Sequence, residues 1–352
     1  MKPNIKDLSF NEFEAYLLER KQPAYRARQV WQWLYQKRAA SFADMTNLSG
    51  VFREQLAADF SISRLAVDRR ADSADGTVKF LFRLADDRNI ESVLIPEAKR
   101  LTLCISTQVG CGFGCAFCAT ALLGLKRNLH ASEIVDQILE ASRTLKEDRR
   151  ITNVVLMGMG EPLANYAPTI EALRVMTNNS WGIGISPRRI TLSTVGLVPQ
   201  IRKLMDETNV SLAISLHAAN DELRSQLMPV NRKYSLRQLM DCCRALPIPR
   251  RKRITFEYVL LRGVNDSTAD ARSLLELLGG VRCKINLIPF NPHPGSQYQR
   301  PENENVESFQ HILSSHGLQV NVRRPRGDDI AAACGQLQGE TTMERATAAG
   351  HC

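Results

Sequence analysis

The sequence predicts an α/β protein with a partial (β/α)6 barrel, preceded by a small helical domain and a β-hairpin and followed by a C-terminal segment. Three observations carry this prediction. Short β-rich runs alternate with helical patterns after residue 100, and the first 60 residues show only helical spacing. The 352-residue chain is also longer than the roughly 200–250 residues of a single α/β barrel. The chain therefore has room for a barrel and a smaller unit.

The composition indicates a globular protein without a membrane segment. Hydrophobic residues make up 44% of the chain and charged residues 24%, and no apolar run reaches the roughly 18 residues of a membrane span. The first ten residues include Lys2, Lys6 and Asp7 and lack the apolar core of a signal peptide, so we expect a cytoplasmic protein. The 46 lysines and arginines exceed the 37 acidic residues, and the formal charge of +9 favours a polyanionic partner.

Residues 1–70 predict a small helical domain. Phe13, Tyr16 and Leu17 recur at helical spacing, and similar patterns follow at residues 30–35 and 51–60. The basic and aromatic residues of this region are Arg20, Lys21, Tyr25, Arg26, Arg28, Trp31, Trp33, Tyr35, Lys37 and Arg38. Such a mixture is typical of a surface that stacks on RNA bases, and equally of a bundle with its aromatic side chains inside. Only the overall charge favours the RNA-binding interpretation.

Residues 71–100 predict a hairpin, because β-rich runs at 77–84 and 90–95 flank a polar turn. Residues 101–318 predict the barrel, and residues 319–352 form a C-terminal segment with a late strand at 319–323. The expected barrel strands are 101–105, 152–157, 189–194, 210–216, 255–260 and 284–289, and the expected helices are 131–145, 166–176, 235–245 and 267–278. In a barrel of this kind the ligands bind at the carboxyl ends of the strands.

The most informative motif is Cys111-Gly-Phe-Gly-Cys115-Ala-Phe-Cys118, which follows the first barrel strand. Nine cysteines in a reducing compartment indicate metal or redox chemistry rather than a disulfide framework. Three thiolates on one short loop can hold three irons of a [4Fe-4S] cluster. The fourth iron then stays open to chelate the amino and carboxylate groups of a small molecule, for which we expect S-adenosylmethionine.

Structural zinc is the alternative for this motif. Cys104 precedes Cys111 by seven residues and would complete a set of four thiolate ligands. Two features favour the cluster instead. The sequence lacks paired C-x2-C knuckles, and the alternation of Leu101, Leu103 and Ile105 turns Cys104 towards the other face of its strand.

Further motifs stand in order along the chain. They are Ser106-Thr-Gln-Val-Gly-Cys111, Gly158-Met-Gly-Glu-Pro162, Ser215-Leu-His217 and Arg326-Gly-Asp-Asp-Ile-Ala-Ala-Ala-Cys334-Gly-Gln-Leu337. Together with the cysteine motif they resemble the radical S-adenosylmethionine superfamily. Within it they are similar to the adenine C2 methyltransferases of large-subunit ribosomal RNA and transfer RNA. The resemblance covers nearly the whole chain.

The resemblance implies which residues contact S-adenosylmethionine. They are Gly160, Glu161, Ser193, Ser215, Leu216, His217 and Asn291, each at or just beyond a predicted strand end. Glu161 can accept hydrogen bonds from a protonated amine. Without the resemblance, the glycine pair before Glu161 would fit a tight turn as well as a ligand contact. In the same way, a lone histidine such as His217 would fit a buried core position as well as a ligand contact.

The resemblance also implies a mechanism that uses two molecules of S-adenosylmethionine per turnover. One methylates Cys334, and the other yields a 5′-deoxyadenosyl radical that removes hydrogen from the new S-methyl group, with an electron from an external donor. The carbon radical adds to the adenine. Cys104 then attacks the sulfur of Cys334, and the resulting disulfide releases the base. Glu91 corresponds to the proton acceptor, although an edge-strand glutamate is as often only solvated.

Two other functions fit parts of the sequence. Methylation at adenine carbon 8, as in related antibiotic-resistance methyltransferases, would use the same cluster and the same extra cysteines. A non-catalytic RNA-binding module with a structural metal would fit the basic N-terminal region. The sequence leaves open whether transfer RNA is a substrate, which protein is the electron donor, and what the oligomeric state is.

Overall fold

The computed structural model describes residues 2–339, and its centre is one ten-stranded sheet. Seven neighbouring strands of this sheet pair in parallel and form the barrel. They are β4 (Arg100–Cys104), β7 (Asn153–Leu156), β8 (Ile190–Thr194), β9 (Ser211–Ser215), β10 (Ile254–Leu260), β11 (Cys283–Pro289) and β12 (Gln319–Val322). The six predicted barrel strands are thereby confirmed, and the late run pairs with β11 as a seventh. Residues 340–352 of the expected C-terminal segment lie outside the described residues.

Helices connect the parallel strands. They are α5 (Ala131–Arg143), α6 (Tyr166–Thr177), α7 (Val198–Glu207), α8 (Asp221–Leu227), α9 (Leu236–Ala245), α10 (Thr268–Leu277) and α11 (Asn303–Ser315). Ser235 and Ser267 form capping boxes that fix where α9 and α10 begin. The sequence prediction missed α7, α8 and α11. In α11 the buried residues Val306, Phe309 and Leu313 have helical spacing, so the sequence does contain the apolar pattern that predicts this helix.

The predicted hairpin is one strand larger than expected. β1 (Ala66–Asp72), β2 (Val78–Arg83) and β3 (Asn89–Glu97) pair antiparallel, and β3 also pairs with β4, so this unit continues the barrel sheet. β1 escaped prediction because it is charged and exposed along nearly its whole length and so lacks an alternating apolar pattern. The helical domain therefore ends before residue 66 and not at residue 70.

The N-terminal domain is a bundle of α1 (Phe10–Glu19), α2 (Tyr25–Tyr35) and α3 (Gly50–Asp59). Trp31 and Tyr35 are buried in it, which confirms the bundle interpretation for these two side chains. Trp33 is half-buried, with the Lys37 ammonium 3.8 Å from its ring centroid. Tyr25 alone among the four aromatic residues of α2 is largely exposed.

A buried ion pair joins this domain to the barrel. The Nζ atom of Lys6 lies 2.6 Å and 2.7 Å from the carboxylate oxygens of Asp136 on α5, and Arg64 binds Glu140 one turn further along. Both members of the first pair are nearly inaccessible to solvent, so losing either would leave an uncompensated buried charge. Within residues 2–339, no helix is both long and apolar enough to cross a membrane.

Candidate active site

A cavity of about 170 Å³ lies at the carboxyl ends of the barrel strands and collects most of the predicted site residues. Those that line it are Cys111, Cys115, Cys118, Gly160, Glu161, Ser193, Ser215, His217 and Cys334. They come from distant parts of the chain and meet because parallel strands end at a common edge. The other four predicted residues, Cys104, Glu91, Leu216 and Asn291, are not part of this lining.

The three cysteines of the motif stand on a loop between β5 (Gln108–Val109) and the short helix α4 (Ala119–Leu122), and β5 pairs antiparallel with β6 (Arg127–Asn128). Gly110 has a φ of +74°, and a Cβ atom there would lie 1.9 Å from the carbonyl oxygen of Gly124. Only glycine fits this position. The loop is fixed further by the Cys111 N–H, which donates to the same oxygen.

Burial raises the pKa of all three thiols, to about 11 for Cys111. Cys118 raises the pKa of Cys111 and Cys115 further, because a second thiolate nearby repels the first. A cationic group between the sulfurs would remove this repulsion, so the donor set fits a thiolate-bound cluster. Within residues 2–339 no three His, Cys, Asp or Glu side chains form a ready-made single-ion site. In a cluster each thiolate binds a different iron, so the sulfurs need only surround the cavity.

The Gly158–Pro162 motif lies directly after β7 and is held against residues 105–108, which follow the first barrel strand. A Cβ atom on Gly160, whose φ is +97°, would lie 2.5 Å from the side chain of Gln108. Glu161 is buried, and its carboxylate accepts hydrogen bonds from the N–H groups of Leu163 and Val195. Burial nevertheless raises the pKa of Glu161 to about 7. The motif thus places a buried carboxyl group at the cavity wall.

His217 is a buried side chain with an unusual backbone conformation. Its φ is +61°, which is rare for a residue with a Cβ atom and is typical of functional sites. The Nδ1 atom accepts the Val259 N–H at 2.9 Å, and the ring packs edge-on against Phe117. Burial, and then the charge of Arg224, lower the pKa of His217 to about 3, so the ring is neutral near pH 7.

Leu216 and Asn291, two of the residues predicted to contact S-adenosylmethionine, lie outside the cavity lining. Leu216 is fully buried, and its backbone N–H donates to the carbonyl of Glu257. Asn291 donates from Nδ2 to the carbonyl of Cys334 at 3.3 Å, so its side chain holds the C-terminal segment. The sequence analysis missed Arg224, which is 1% exposed and donates to the carbonyls of Leu216, Val195 and Ser215. No motif marks Arg224, because it acts through backbone carbonyls.

The segment that carries Cys334 is bound directly to the cysteine loop. The Ala119 N–H donates to the carbonyl of Gly335 at 2.8 Å, and the Thr120 hydroxyl donates to the carbonyl of Leu337 at 2.6 Å. Cys334 itself is exposed and lines the cavity. The C-terminal segment therefore folds back onto the end of the barrel that carries the cysteine loop.

Cys104 is the last residue of β4 and is buried. Burial, and then the negative charge of a nearby Cys334 thiolate, raise the pKa of Cys104 to about 12, while Arg323 opposes them. Cys104 thus lies within electrostatic range of Cys334, as does Cys118 of the loop.

Glu91 lies on β3 and is buried rather than solvated. Its Oε2 atom accepts hydrogen bonds from the N–H groups of Gln338 and Gly339, and its Oε1 atom lies 3.2 Å from the Nζ atom of Lys79. In this conformation the Glu91 carboxylate anchors the C-terminal segment.

Glu257 and Arg323 are two further charged residues of the cavity wall, and the sequence analysis counted neither of them among the site residues. Burial raises the pKa of Glu257, and Arg323, 3.8 Å away, opposes this effect. One oxygen of Glu257 accepts from Asn286, whereas Oε2 has no hydrogen-bond partner among residues 2–339. Glu257 lies on β10 among buried apolar residues, and Arg323 directly follows β12, so only the folded barrel brings the two together.

Comparisons with known proteins agree with this geometry. The radical SAM superfamily profile matches residues 105–275, and the profile of the ribosomal RNA large subunit methyltransferase N-terminal domain matches residues 3–62. The chain is 50% identical to the dual-specificity RNA methyltransferase RlmN of Syntrophobacter fumaroxidans over 336 residues, which cover 96% of this chain and 98% of that protein. The protein of the same name from Geobacter sulfurreducens is 48% identical over 347 residues, covering 99% and 95%.

Among solved structures, a radical SAM methyltransferase from Sphaerobacter thermophilus is similar, with a TM-score of 0.90 and 45% identity. The match covers 96% of this chain and 100% of that chain. The family resemblance, the fold class and the identification as an enzyme are thus confirmed, and a non-catalytic RNA-binding module is wrong. The chain belongs to the dual-specificity RNA methyltransferase RlmN family of the radical SAM superfamily.

Proposed function

We propose that this protein methylates carbon 2 of a specific adenine in large-subunit ribosomal RNA and in transfer RNA. The relatives are named dual-specificity RNA methyltransferases, which supports an RNA substrate. One observation carries the assignment of the methyl carrier. Cys334 stands in the wall of the same cavity as the three cysteines of the C-x3-C-x2-C motif.

The cavity residues divide into two groups of roles. Cys111, Cys115 and Cys118 hold the [4Fe-4S] cluster, which when bound supplies the electron that cleaves S-adenosylmethionine. The contacts with S-adenosylmethionine fall to Gly160, Glu161, Ser193, Ser215, Leu216, His217 and Asn291, with Leu216 acting through its backbone. Neutral His217 and buried Glu161 offer a hydrogen-bond donor and a carboxyl group to a polar ligand.

Cys334 carries the methyl group in two stages. Its thiol first gives up a proton and takes the methyl of one S-adenosylmethionine. After a second molecule has been cleaved and a hydrogen atom has been removed from the S-methyl group, the remaining carbon radical joins carbon 2 of the adenine, and the adduct passes one electron back to the external electron carrier. Glu91 accepts the carbon 2 proton. To do so, its carboxylate must release the hydrogen bonds from the N–H groups of Gln338 and Gly339 and contact the base instead.

Cys104 completes the turnover. Its thiolate attacks the sulfur of Cys334, a Cys104–Cys334 disulfide forms, and the base leaves with the electron pair of the broken sulfur–carbon bond, so that its methylene carbon takes up a proton and becomes the methyl group. The external donor must then reduce this disulfide before the next turnover and must supply the electron that the cluster passes on. We place the protein in the cytoplasm, where its RNA substrates and reducing conditions coexist.

Mass spectrometry of digested RNA tests the proposal. Anaerobically reconstituted protein is incubated with S-adenosylmethionine, a reductant, and either ribosomal RNA or transfer RNA. We expect 2-methyladenosine in both. The appearance of 8-methyladenosine would assign the rival reaction instead, and unmethylated adenine in both RNAs, with S-adenosylmethionine still cleaved, would overturn the proposal.

A further inference from the structure

Cys334 stands at the junction of two cavities. The second cavity measures about 660 Å³ and extends from Cys334 through the interior of the barrel to the amino ends of the strands. This space is larger than the first cavity, which measures about 170 Å³, so it has room for a bound group. The residues that line both cavities are Met157, Glu257, Ile288, Arg323 and Cys334.

The barrel interior is polar where such interiors are usually filled by branched apolar side chains. Thr255 pairs with Lys284 and Glu257 pairs with Asn286 across the β10–β11 register, and all four line the second cavity. Glu257 lies at its inner end, and the Oε2 atom of this residue accepts no hydrogen bond among residues 2–339, with the Arg323 guanidinium 3.8 Å away. A buried acceptor without a donor is costly, so this position suits a ligand with polar hydrogens.

The interior opens into a groove at the amino ends of the strands. This groove measures about 1,050 Å³. The residues it shares with the barrel interior are Arg100, Asn153, Thr191, Thr255, Lys284 and Gln319. A continuous path therefore runs from the groove, through the barrel, to Cys334.

The groove has charges of one sign only. Its lining contains Arg100, Arg188, Arg250, Arg251, Lys252, Arg253 and Lys284, and no aspartate or glutamate. Among residues 2–339, no carboxylate lies within ion-pair distance of Arg188 or of the cations in the 250–253 loop. Soluble surfaces usually mix the two signs, whereas a cleft of one sign concentrates ions of the other.

The cavity at the opposite end of the barrel is smaller and offers less room to a polymer. It measures about 170 Å³, and hydrogen bonds from Ala119 and Thr120 attach the Cys334 segment beside it. Gln336 adds a bond from its side-chain amide to the carbonyl of Pro292 at 2.9 Å.

We infer that the RNA reaches Cys334 from the amino ends of the barrel strands. Phosphates bind along the groove of Arg188 and residues 250–253, and one unstacked adenine enters the barrel interior, while S-adenosylmethionine occupies the cavity at the carboxyl ends. The two substrates thus approach the Cys334 sulfur from opposite ends of the barrel. This inference rests on the proposed function for the identity of the polyanion, since the charge alone also suits an acidic protein.

Charge reversal in the groove tests this inference without requiring catalysis. The groove variant is Arg250→Glu/Arg251→Glu, and the matched control is Arg237→Glu/Arg272→Glu, which makes the same charge change on exposed positions of α9 and α10. Binding of fluorescent RNA is measured by anisotropy between about 50 and 200 mM salt, without S-adenosylmethionine. We expect the groove variant to bind at least about tenfold more weakly, with a salt slope smaller by about two, because two phosphate contacts are lost.

Equal binding by the groove and control variants would overturn the inference and leave an acidic protein as the occupant of the groove. The proposed function is tested separately, by measuring whether the wild type forms 2-methyladenosine. If the wild type forms none while RNA binding still depends on the groove, the reaction assignment fails and the docking surface stands.

A second variant tests passage through the barrel. Asn321→Trp places a large ring at the exposed edge strand β12, where Asn321 lines the interior, and Glu307→Trp on the exposed face of α11 is its control. We expect Asn321→Trp to keep the transfer of labelled methyl from S-adenosylmethionine to Cys334 but to lower RNA methylation at least tenfold. Unchanged RNA methylation in this variant would exclude entry through the barrel.

Discussion

The two ends of the barrel are built from different residues and depend on different physical effects. At the carboxyl ends, glycines, thiols and buried polar groups are fixed by hydrogen bonds, and a Cβ atom on Gly160 would approach Gln108 to 2.5 Å. At the amino ends, exposed arginines and half-buried lysines surround an open groove. Bond-forming chemistry depends on small distances, whereas phosphate binding depends mainly on the number of charges. Substitutions at the two ends should therefore behave differently.

Loss of the methyl carrier should have the largest effect. We expect Cys334→Ala to abolish RNA methylation, because no thiol remains to take the methyl group, while S-adenosylmethionine still binds. Mass spectrometry of the RNA and equilibrium binding of S-adenosylmethionine measure the two quantities. The control is Cys242→Ala, since Cys242 is equally a cysteine but is buried in the core on α9. Methylation by Cys334→Ala would contradict the carrier role.

Adding a methyl side chain at Gly160, at the carboxyl ends of the strands, should have the next largest effect. We expect Gly160→Ala to weaken S-adenosylmethionine binding by at least tenfold, or about 1.4 kcal/mol, because the loop must move away from Gln108. Gly317→Ala is the control: its φ of +81° is also unfavourable for alanine, but no atom lies within 4 Å of the added group. It should lose stability and keep its affinity. Equal affinities in both variants would show that close packing at Gly160 is unimportant.

Single substitutions at the amino ends should have smaller and graded effects. We expect Arg188→Ala, Arg250→Ala and Arg253→Ala each to weaken RNA binding several-fold, to lower the salt slope by about one, and to combine additively. Anisotropy titrations at several salt concentrations measure these changes. If only one of the three substitutions weakened RNA binding, a specific contact would replace the diffuse charge effect. The contrast between the two ends of the barrel would then be weaker.

The smallest effect concerns the attachment of the Cys334 segment to the hairpin. Burial raises the pKa of Asp75, but hydrogen bonds from Thr77, Ser73 and the Gly327 N–H outweigh it and hold the pKa below its usual range. Asp75→Asn should therefore lower the unfolding free energy by roughly 1–2 kcal/mol. Because the folded pKa lies below the unfolded one, the contribution is present above about pH 4 and is lost as pH falls.

Thermal unfolding of the wild type and Asp75→Asn between about pH 7 and pH 3 measures this contribution. The difference between the two proteins should shrink as the pH falls. Hydrogen exchange at residues 327–337 should be faster in the variant at neutral pH. A difference that grows in acid would contradict the sign of the pKa shift.

The same contrast explains how much the sequence could predict. Cys111, Gly160 and His217 stand in motifs with fixed spacing because their chemistry tolerates few other residues, and they lie where expected. The groove cations form no motif, since any long basic side chain nearby supplies the same charge. Glu257 and Arg224 were missed for another reason. Their roles arise only when distant strands meet, and neither has a signal in its own sequence neighbourhood.

The prediction of strands also depended on whether the local sequence carries a pattern. The buried barrel strands were predicted from their apolar runs, whereas exposed β1 was missed because charged residues occupy both of its faces. The aromatic residues of α2 show the limit of composition. Trp31 is core and Tyr25 is surface, although both stand among basic residues in the sequence.

Cross-linking tests most directly the claim that two substrates approach Cys334 from opposite ends of the barrel. A photoreactive uridine is placed a few nucleotides from the target adenine, and the cross-linked peptides are identified by mass spectrometry. Adducts in residues 186–189 and 249–253 are the predicted result. Adducts confined to residues 112–117 and 293–298, beside the cysteine loop at the carboxyl ends, would contradict it.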